Sequence, residues 1–240
     1  MSKERIADLL LAEISGFADR IQHEHPLMQA ALQGRVTPRS VGSYLAGIKC
    51  LLEHTPIHLE IAASVARQRG LFELAEYFRH KRREEAGHAC WAESDLEHMK
   101  RVFGVMASGV PNSMLDMVTY IGEIVRNRPS HYAGYILFAE HMTVQAGGVW
   151  VKALGEHCGI PPSALSSIAK HVELDQFHVV EGRDEINHLL RDISDPAPFV
   201  ATLRRAMSHF EAFCDELHQS VLRQSLAPVT QRHASPSLPP

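Results

Sequence analysis

The chain has 240 residues, 45% of them hydrophobic and 22% charged, enough for one substantial core and the balance of a soluble globular protein. Lys plus Arg number 24 and Asp plus Glu 28, a net charge of −4, which argues against a nucleic-acid partner. The four cysteines (Cys50, Cys90, Cys158, Cys214) form no CxxC pair, and neither a signal peptide nor a membrane-spanning apolar run is evident. A cytoplasmic protein with reduced thiols and no membrane partner is the simplest expectation.

Helical periodicity dominates and strand alternation is almost absent. Residues 3–33 carry one or two amphipathic helices, interrupted near His25-Pro26 and stopped by Gly34. Thr37-Pro38 reads as an N-cap followed by proline at the first helical position. The next stretch reaches about Arg69, with Pro56 inside it to kink or divide it. A long helix follows from about Leu71 to Phe103 and ends at Gly104. Asn112 or Ser113 caps a helix reaching Asn127, and Ser130 caps one from His131 to about His157. After Gly159-Ile-Pro161-Pro162 comes the helix carrying His171. Asp195-Pro196 starts the last helix, which ends near Gln224. The expected fold is all-α, a single bundle of seven or eight helices over residues 1–224, with a disordered Pro/Ser-rich tail over 225–240.

The chemistry centres on His171-Val-Glu-Leu-Asp175-Gln-Phe-His178. At about 100° per residue, Asp175 lies about 40° from His171 and His178 about 20° to its other side, so one stripe carries two imidazoles and a carboxylate. Ile168 and Leu189 lie near that stripe, which turns it toward the core. Burying such groups unpaired is costly, and a bound cation removes the cost. A solvated polar face or an Asp–His ion pair is the competing reading.

The pattern Asp/Glu-x-x-His occurs five times, against roughly two expected from composition, so facing must decide. Glu85 shares a stripe with Leu74, Phe78, Ala92, Leu96 and Met99, and His88 adjoins it; Glu84 is the poorer candidate. Asp95/His98 and Asp215/His218 sit among charged residues and read as solvated. Glu185/His188 is rotated away from the His171 stripe. Glu140 falls among Ile136, Val144, Val151 and Leu154, where a salt bridge to a buried arginine would be the bland account. Gly147-Gly148 beyond it imply close helix packing or space for a ligand. Glu53 lies on a face with Ala46, Cys50 and Ile57, and Glu60 competes with it; His54 and His58 read as packing groups.

Four helices thus offer Glu53; Glu85 and His88; Glu140; and His171, Asp175 and His178. These are too many donors for one small cation and suit two divalent ions bridged by carboxylate. Together with His25-Pro26 through Gly34, Arg83-Glu-Glu85-Ala-Gly-His88 and Tyr135 through Glu140, the motif His171-x-x-x-Asp175-x-x-His178 resembles the haem-oxygenase-like di-iron oxidases. Their superfamily also holds haem oxygenase, thiaminase II and pyrroloquinoline-quinone synthase. The likeness covers about residues 15–190. It implies iron ligands at Glu85, His88, Glu140, His171, Asp175 and His178, with an additional carboxylate nearest Glu53. Some members carry a carboxylate where this chain has Lys81, which would pair with Glu85 or hold a substrate carboxylate.

The resemblance implies a non-haem enzyme with two ferrous ions and O2 as co-substrate. Its expected substrate is a small amino-acid-derived metabolite, oxidised by N-oxygenation, oxidative C–C cleavage or decarboxylation. A fatty acid remains an alternative, because a buried apolar tunnel is invisible in sequence. Homodimers are expected from the superfamily's habit of association. Rival readings are a haem oxygenase using His23 or His25, a cofactorless relative, and a metal-binding helical protein without turnover.

Overall fold

The computed structural model describes residues 5–105 and 109–226, and among these there are ten α-helices and no strand. They are α1 (Ile6–His23), α2 (Pro26–Leu32), α3 (Pro38–Gln68), α4 (Phe72–Glu84), α5 (Ala89–Phe103), α6 (Asn112–Asn127), α7 (Pro129–Met142), α8 (Gly148–Cys158), α9 (Ser166–Leu189) and α10 (Ala197–Leu226). A π-helical turn, Thr143–Gly147, carries α7 into α8 without a break. Taking α4 with α5 and α7 with α8, the ten segments correspond to eight helices in chain order.

Local chemistry sets several boundaries. Thr37 Oγ1 accepts from the Ser40 amide at 3.2 Å, with Pro38 at the first helical position of α3. His25 caps α2 in the same way, its Nδ1 accepting from the Leu27 amide at 3.1 Å ahead of Pro26. Gly34 closes α2 at φ +67, and a Cβ there would come within 2.7 Å of the His157 carbonyl oxygen, so both the left-handed backbone and the close approach require glycine.

Several expected boundaries move. The helix expected from Leu71 to Phe103 is broken after Glu84, with Gly87 at φ +90. Glycine costs about 1 kcal/mol inside a helix, and Glu85 and His88 flank the break on either side. Pro56 does not divide α3, which is helical throughout. Neither Asn112 nor Ser113 caps α6. Its N-terminal amides are held from outside by Glu216 on α10, which accepts from Ser113 N at 2.9 Å and Asn112 N at 3.3 Å. Pro129, ahead of Ser130, opens α7. Helix α10 extends to Leu226, so Ser225 and Leu226 of the expected tail are helical, and 227–240 lie outside the described residues.

The apolar faces meet in one contiguous core. Helix α3 packs on α4, α5 and α6; α10 crosses α6, α7 and α2; and α9 lies against the π turn, α7, α1 and α5. Phe78, Tyr132, Phe138 and Phe213 are among its largest fully buried side chains, each contributing about 1.5–3 kcal/mol by leaving water. Among the described residues no helix is long and apolar enough to cross a membrane.

Candidate metal centre

Two groups of potential ligands converge inside this bundle. Glu85, His88 and His171 form one and Glu140, Asp175 and His178 the other; in each, one donor atom from every residue lies within 4.8 Å of the others. The first group joins the α4–α5 break to α9, and the second joins the end of α7 to α9. His171 and Asp175 stand one turn apart on α9, so a single helix feeds both groups. Glu140 lies three residues ahead of the first residue of the π turn, a distortion frequent at functional sites.

Hydrogen bonding fixes the imidazoles. His171 Nδ1 donates to the Ser167 carbonyl at 2.7 Å. In the neutral ring this leaves Nε2 as a bare lone pair, and Nε2 is buried with no hydrogen-bond partner. His88 Nδ1 donates to Glu85 Oε2 at 3.1 Å, and His178 Nδ1 to Asp175 Oδ1 at 3.2 Å. Trp91, which periodicity did not single out, stacks on His88 with ring centroids 4.2 Å apart and meets His171 edge-on at 5.4 Å. The donor set and the orphaned Nε2 fit a divalent metal.

Lys81 lies at the second group. The residue is 6% exposed, and its ammonium donates to Glu140 Oε1 at 2.8 Å and lies 3.3 Å from Glu84 Oε2. It therefore pairs with Glu140 and Glu84 rather than with Glu85, and a lysine fills the place given to a buried arginine in the bland account of Glu140. Burial works against the Lys81 charge, but Glu140 and Glu84 outweigh it and raise its pKa. Burial pushes the Glu140 carboxyl up, and the neighbouring Asp175 adds to this against the pull of Lys81. Burial would also raise Glu85, yet the bond from His88 and the nearby His171 and Lys81 hold it below the usual carboxylate range. The bond to Asp175 raises His178.

The remaining candidates lie elsewhere. Glu53 belongs to neither group: its side chain is 49% exposed and accepts from Lys49 Nζ at 2.7 Å. The cavity side of α3 is instead Ile48, Leu51, Leu52, Thr55 and Leu59, so Glu53 is out of phase with it, and Ile57, expected on the same inward face, is exposed. Glu60 is exposed too and pairs with Arg82 at 3.2 Å. Asp95 is not solvated but buried, its carboxylate accepting from the Ser166 and Ser167 amides that open α9. Asp215 is exposed, 3.3 Å from His25 Nε2.

A cavity of about 200 Å³ opens against Lys81, Glu85, Glu140, His171 and Asp175. The rest of its wall is largely apolar, including Leu52, Leu59, Met117, Ile136, Phe138 and Trp150. Gly147 also lines it, and a Cβ there would come within 3.0 Å of Val172 Cγ2, so the glycine lets the π turn lie close to α9. Tyr132 and Tyr135 reach the same cavity, and burial keeps both phenols protonated well above the usual range.

No protein-family profile and no curated protein matches this sequence. Solved structures do match the fold. A domain of unknown function with a haem-oxygenase-like fold from Shewanella denitrificans is 17% identical, with 95% of this chain and 98% of that chain covered at a TM-score of 0.77. A CADD-like protein of unknown function from Nostoc punctiforme is 13% identical, with 92% and 97% covered and a TM-score of 0.64. A TenA homolog from Pseudomonas syringae is 14% identical, with 91% and 93% covered and a TM-score of 0.61. At these identities the likeness speaks for architecture, and the site rests on its own geometry. The chain has the haem-oxygenase-like fold.

Proposed function

We propose that the protein is a non-haem, iron-dependent oxidoreductase that uses O2, with metal positions at Glu85/His88/His171 and Glu140/Asp175/His178. The observation that carries this reading is His171 Nε2, buried without a hydrogen-bond partner on a ring whose Nδ1–H is held by the Ser167 carbonyl. Glu85, His88 and His171 make a set of two imidazoles and one carboxylate, the donor combination of O2-activating ferrous sites. Ferrous iron, when bound, supplies the electrons for O2 reduction.

The protein's own residues then do three things. Ser167 and Asp175 hold His171 and His178 by their Nδ1 protons and so set the ring orientations. Trp91 covers one face of His88. The apolar wall excludes water from the reacting end, and Tyr132 and Tyr135 keep their protons there. That wall favours a substrate with a polar head at the carboxylate–imidazole end and an apolar body: an apolar amino acid, a derivative of one, or a fatty acid.

A haem reading lacks a ligand. His25 Nδ1 accepts from the Leu27 amide, which in the neutral ring leaves the proton on Nε2 and no lone pair there for iron, and His23 is exposed and does not line the cavity. The test is oxygen uptake by protein loaded anaerobically with Fe(II), mixed with O2 and a panel of apolar amino acids and fatty acids. Uptake should accelerate with a substrate, and metal-free protein and Asp175→Ala should remain at background. Full turnover by metal-free protein would make a cofactorless relative the better reading. Iron binding without substrate-dependent uptake across the panel would favour a metal-binding protein without turnover.

A further inference from the structure

The two ligand groups differ in one respect that bears on how they fill. Among the described residues, no lysine or arginine lies within 4.0 Å of the Glu85 carboxylate, whose ion-pair partner is His88. In the other group, Lys81 Nζ sits 2.8 Å from Glu140 Oε1, and His178 Nδ1 lies 3.7 Å from that same oxygen. A metal ion bonds a carboxylate oxygen at about 2.0–2.2 Å. An ammonium on the same oxygen would then face a divalent charge only a few ångströms away, screened by little water. Metal and ammonium therefore compete for Glu140.

Lys81 has somewhere else to go. It lines the inner apolar cavity, and it also lines a separate polar recess with His80, Glu84, His178, Glu181 and Glu185. Glu84 already lies 3.3 Å from its ammonium on that side. His178 borders the same recess, with Nε2 3.9 Å from Glu84. The lysine thus stands between the recess and Glu140, with one carboxylate on each side of it. A four-carbon stem can move the charge between them by rotamer change alone.

We propose that Lys81 is a built-in occupant of the second position. Its ammonium holds Glu140 until a metal ion entering through the recess displaces it toward Glu84, so the positions fill in order, Glu85/His88/His171 first. This rests on the metal reading above and adds to it an order of filling and a route. It also accounts for a buried cation inside an otherwise ligand-like cluster, because without metal Glu140 and Asp175 would lie buried together with only His178 to offset them.

The experiment is anaerobic Fe(II) titration of wild-type protein, Lys81→Met, Lys81→Arg, Glu84→Gln and the Lys81→Met/Glu84→Gln double variant, with iron counted per chain and helix content followed. In wild type one iron should bind tightly and a second about 10- to 100-fold more weakly, the scale of one displaced charge-assisted bond. Lys81→Met should bring the second affinity close to the first, and Lys81→Arg should not. Glu84→Gln should weaken the second iron in wild type and have no effect in the Lys81→Met background. If Lys81→Met needs iron to fold, its melting temperature should keep rising through the second equivalent.

Two equally tight irons in wild type would overturn the proposal, as would an unchanged weak second position in Lys81→Met. Equal weakening by Glu84→Gln in both backgrounds would make Glu84 a ligand rather than the alternative partner of Lys81, and would overturn the displacement. Folded protein that binds no iron in any variant would instead overturn the metal reading beneath it.

Discussion

Asp95 and Asp175 share one sequence pattern, Asp-x-x-His, on two helices that pack together, and both are buried, at 1% and 5% exposure. Their surroundings differ. Asp95 receives three hydrogen bonds from the start of α9: Ser166 N at 3.1 Å, Ser166 Oγ at 2.6 Å and Ser167 N at 2.8 Å. Its charge is met by backbone amides and the positive end of a helix dipole, and it needs no cation. Asp175 receives one bond, from His178, and lies close enough to Glu140 to help burial raise the Glu140 carboxyl. Burial alone does not separate a structural acid from a candidate ligand; the number of donors already meeting its charge does.

Substitution should drive the two apart. The largest effect on folding is expected from Asp95→Ala, a loss of about 2–4 kcal/mol for several charge-assisted bonds at a buried cap. It would be read as a lower urea midpoint, with iron per folded chain unchanged. Asp175→Ala should do the reverse, removing iron from the second position while stability moves by about 1 kcal/mol or less, because a buried like-charge contact leaves with the lost bond. Loss of iron in Asp95→Ala at full folding, or a collapse of stability in Asp175→Ala, would break the comparison.

Smaller effects sharpen it. Glu216 does for α6 what Asp95 does for α9, from a less buried position, so Glu216→Ala should cost about 1 kcal/mol and leave iron binding untouched. His58 is a buried imidazole outside both groups, and burial, with His54 and Arg126 nearby, lowers its pKa to about 4. The folded protein keeps it neutral while the unfolded chain takes up a proton near pH 6.5. Its contribution is therefore complete above about pH 6.5 and is lost as pH falls toward 4. The urea midpoint should fall over that window, and less so in His58→Leu; an equal fall in the variant would assign the dependence to other groups.

The fold was legible where it is written locally. Thr37-Pro38, His25-Pro26 and Gly34 each declare a boundary through the residue itself, and the ends they mark agree with the structure. The convergence of the six acids and imidazoles was legible because Glu85, Glu140, His171, Asp175 and His178 stand on partly apolar stripes, where such residues are out of place, and His88 adjoins one. What stayed hidden are relations between helices. Asp95 lies in a charged run, and nothing local says that α9 begins against it. Lys81 was expected beside Glu85 or a substrate carboxylate, and only the packing of α7 brings Glu140 to it instead. Glu53 was misplaced because its inward phase was read from Ala46, Cys50 and Ile57, whereas the cavity side of α3 runs through Leu51, Leu52 and Thr55. The π turn and the break at Gly87 alter helical phase, so a stripe drawn at a constant 3.6-residue period across them loses its register.

The most direct test of the account is anomalous diffraction from crystals soaked anaerobically with Fe(II), recorded on either side of the iron absorption edge. The account predicts an iron peak within bonding distance of His171 Nε2, His88 and Glu85, with Ser167 still holding His171 Nδ1. Iron bound elsewhere with His171 Nε2 left bare, or no ordered iron in crystals of protein whose six acids and imidazoles are intact, would contradict it.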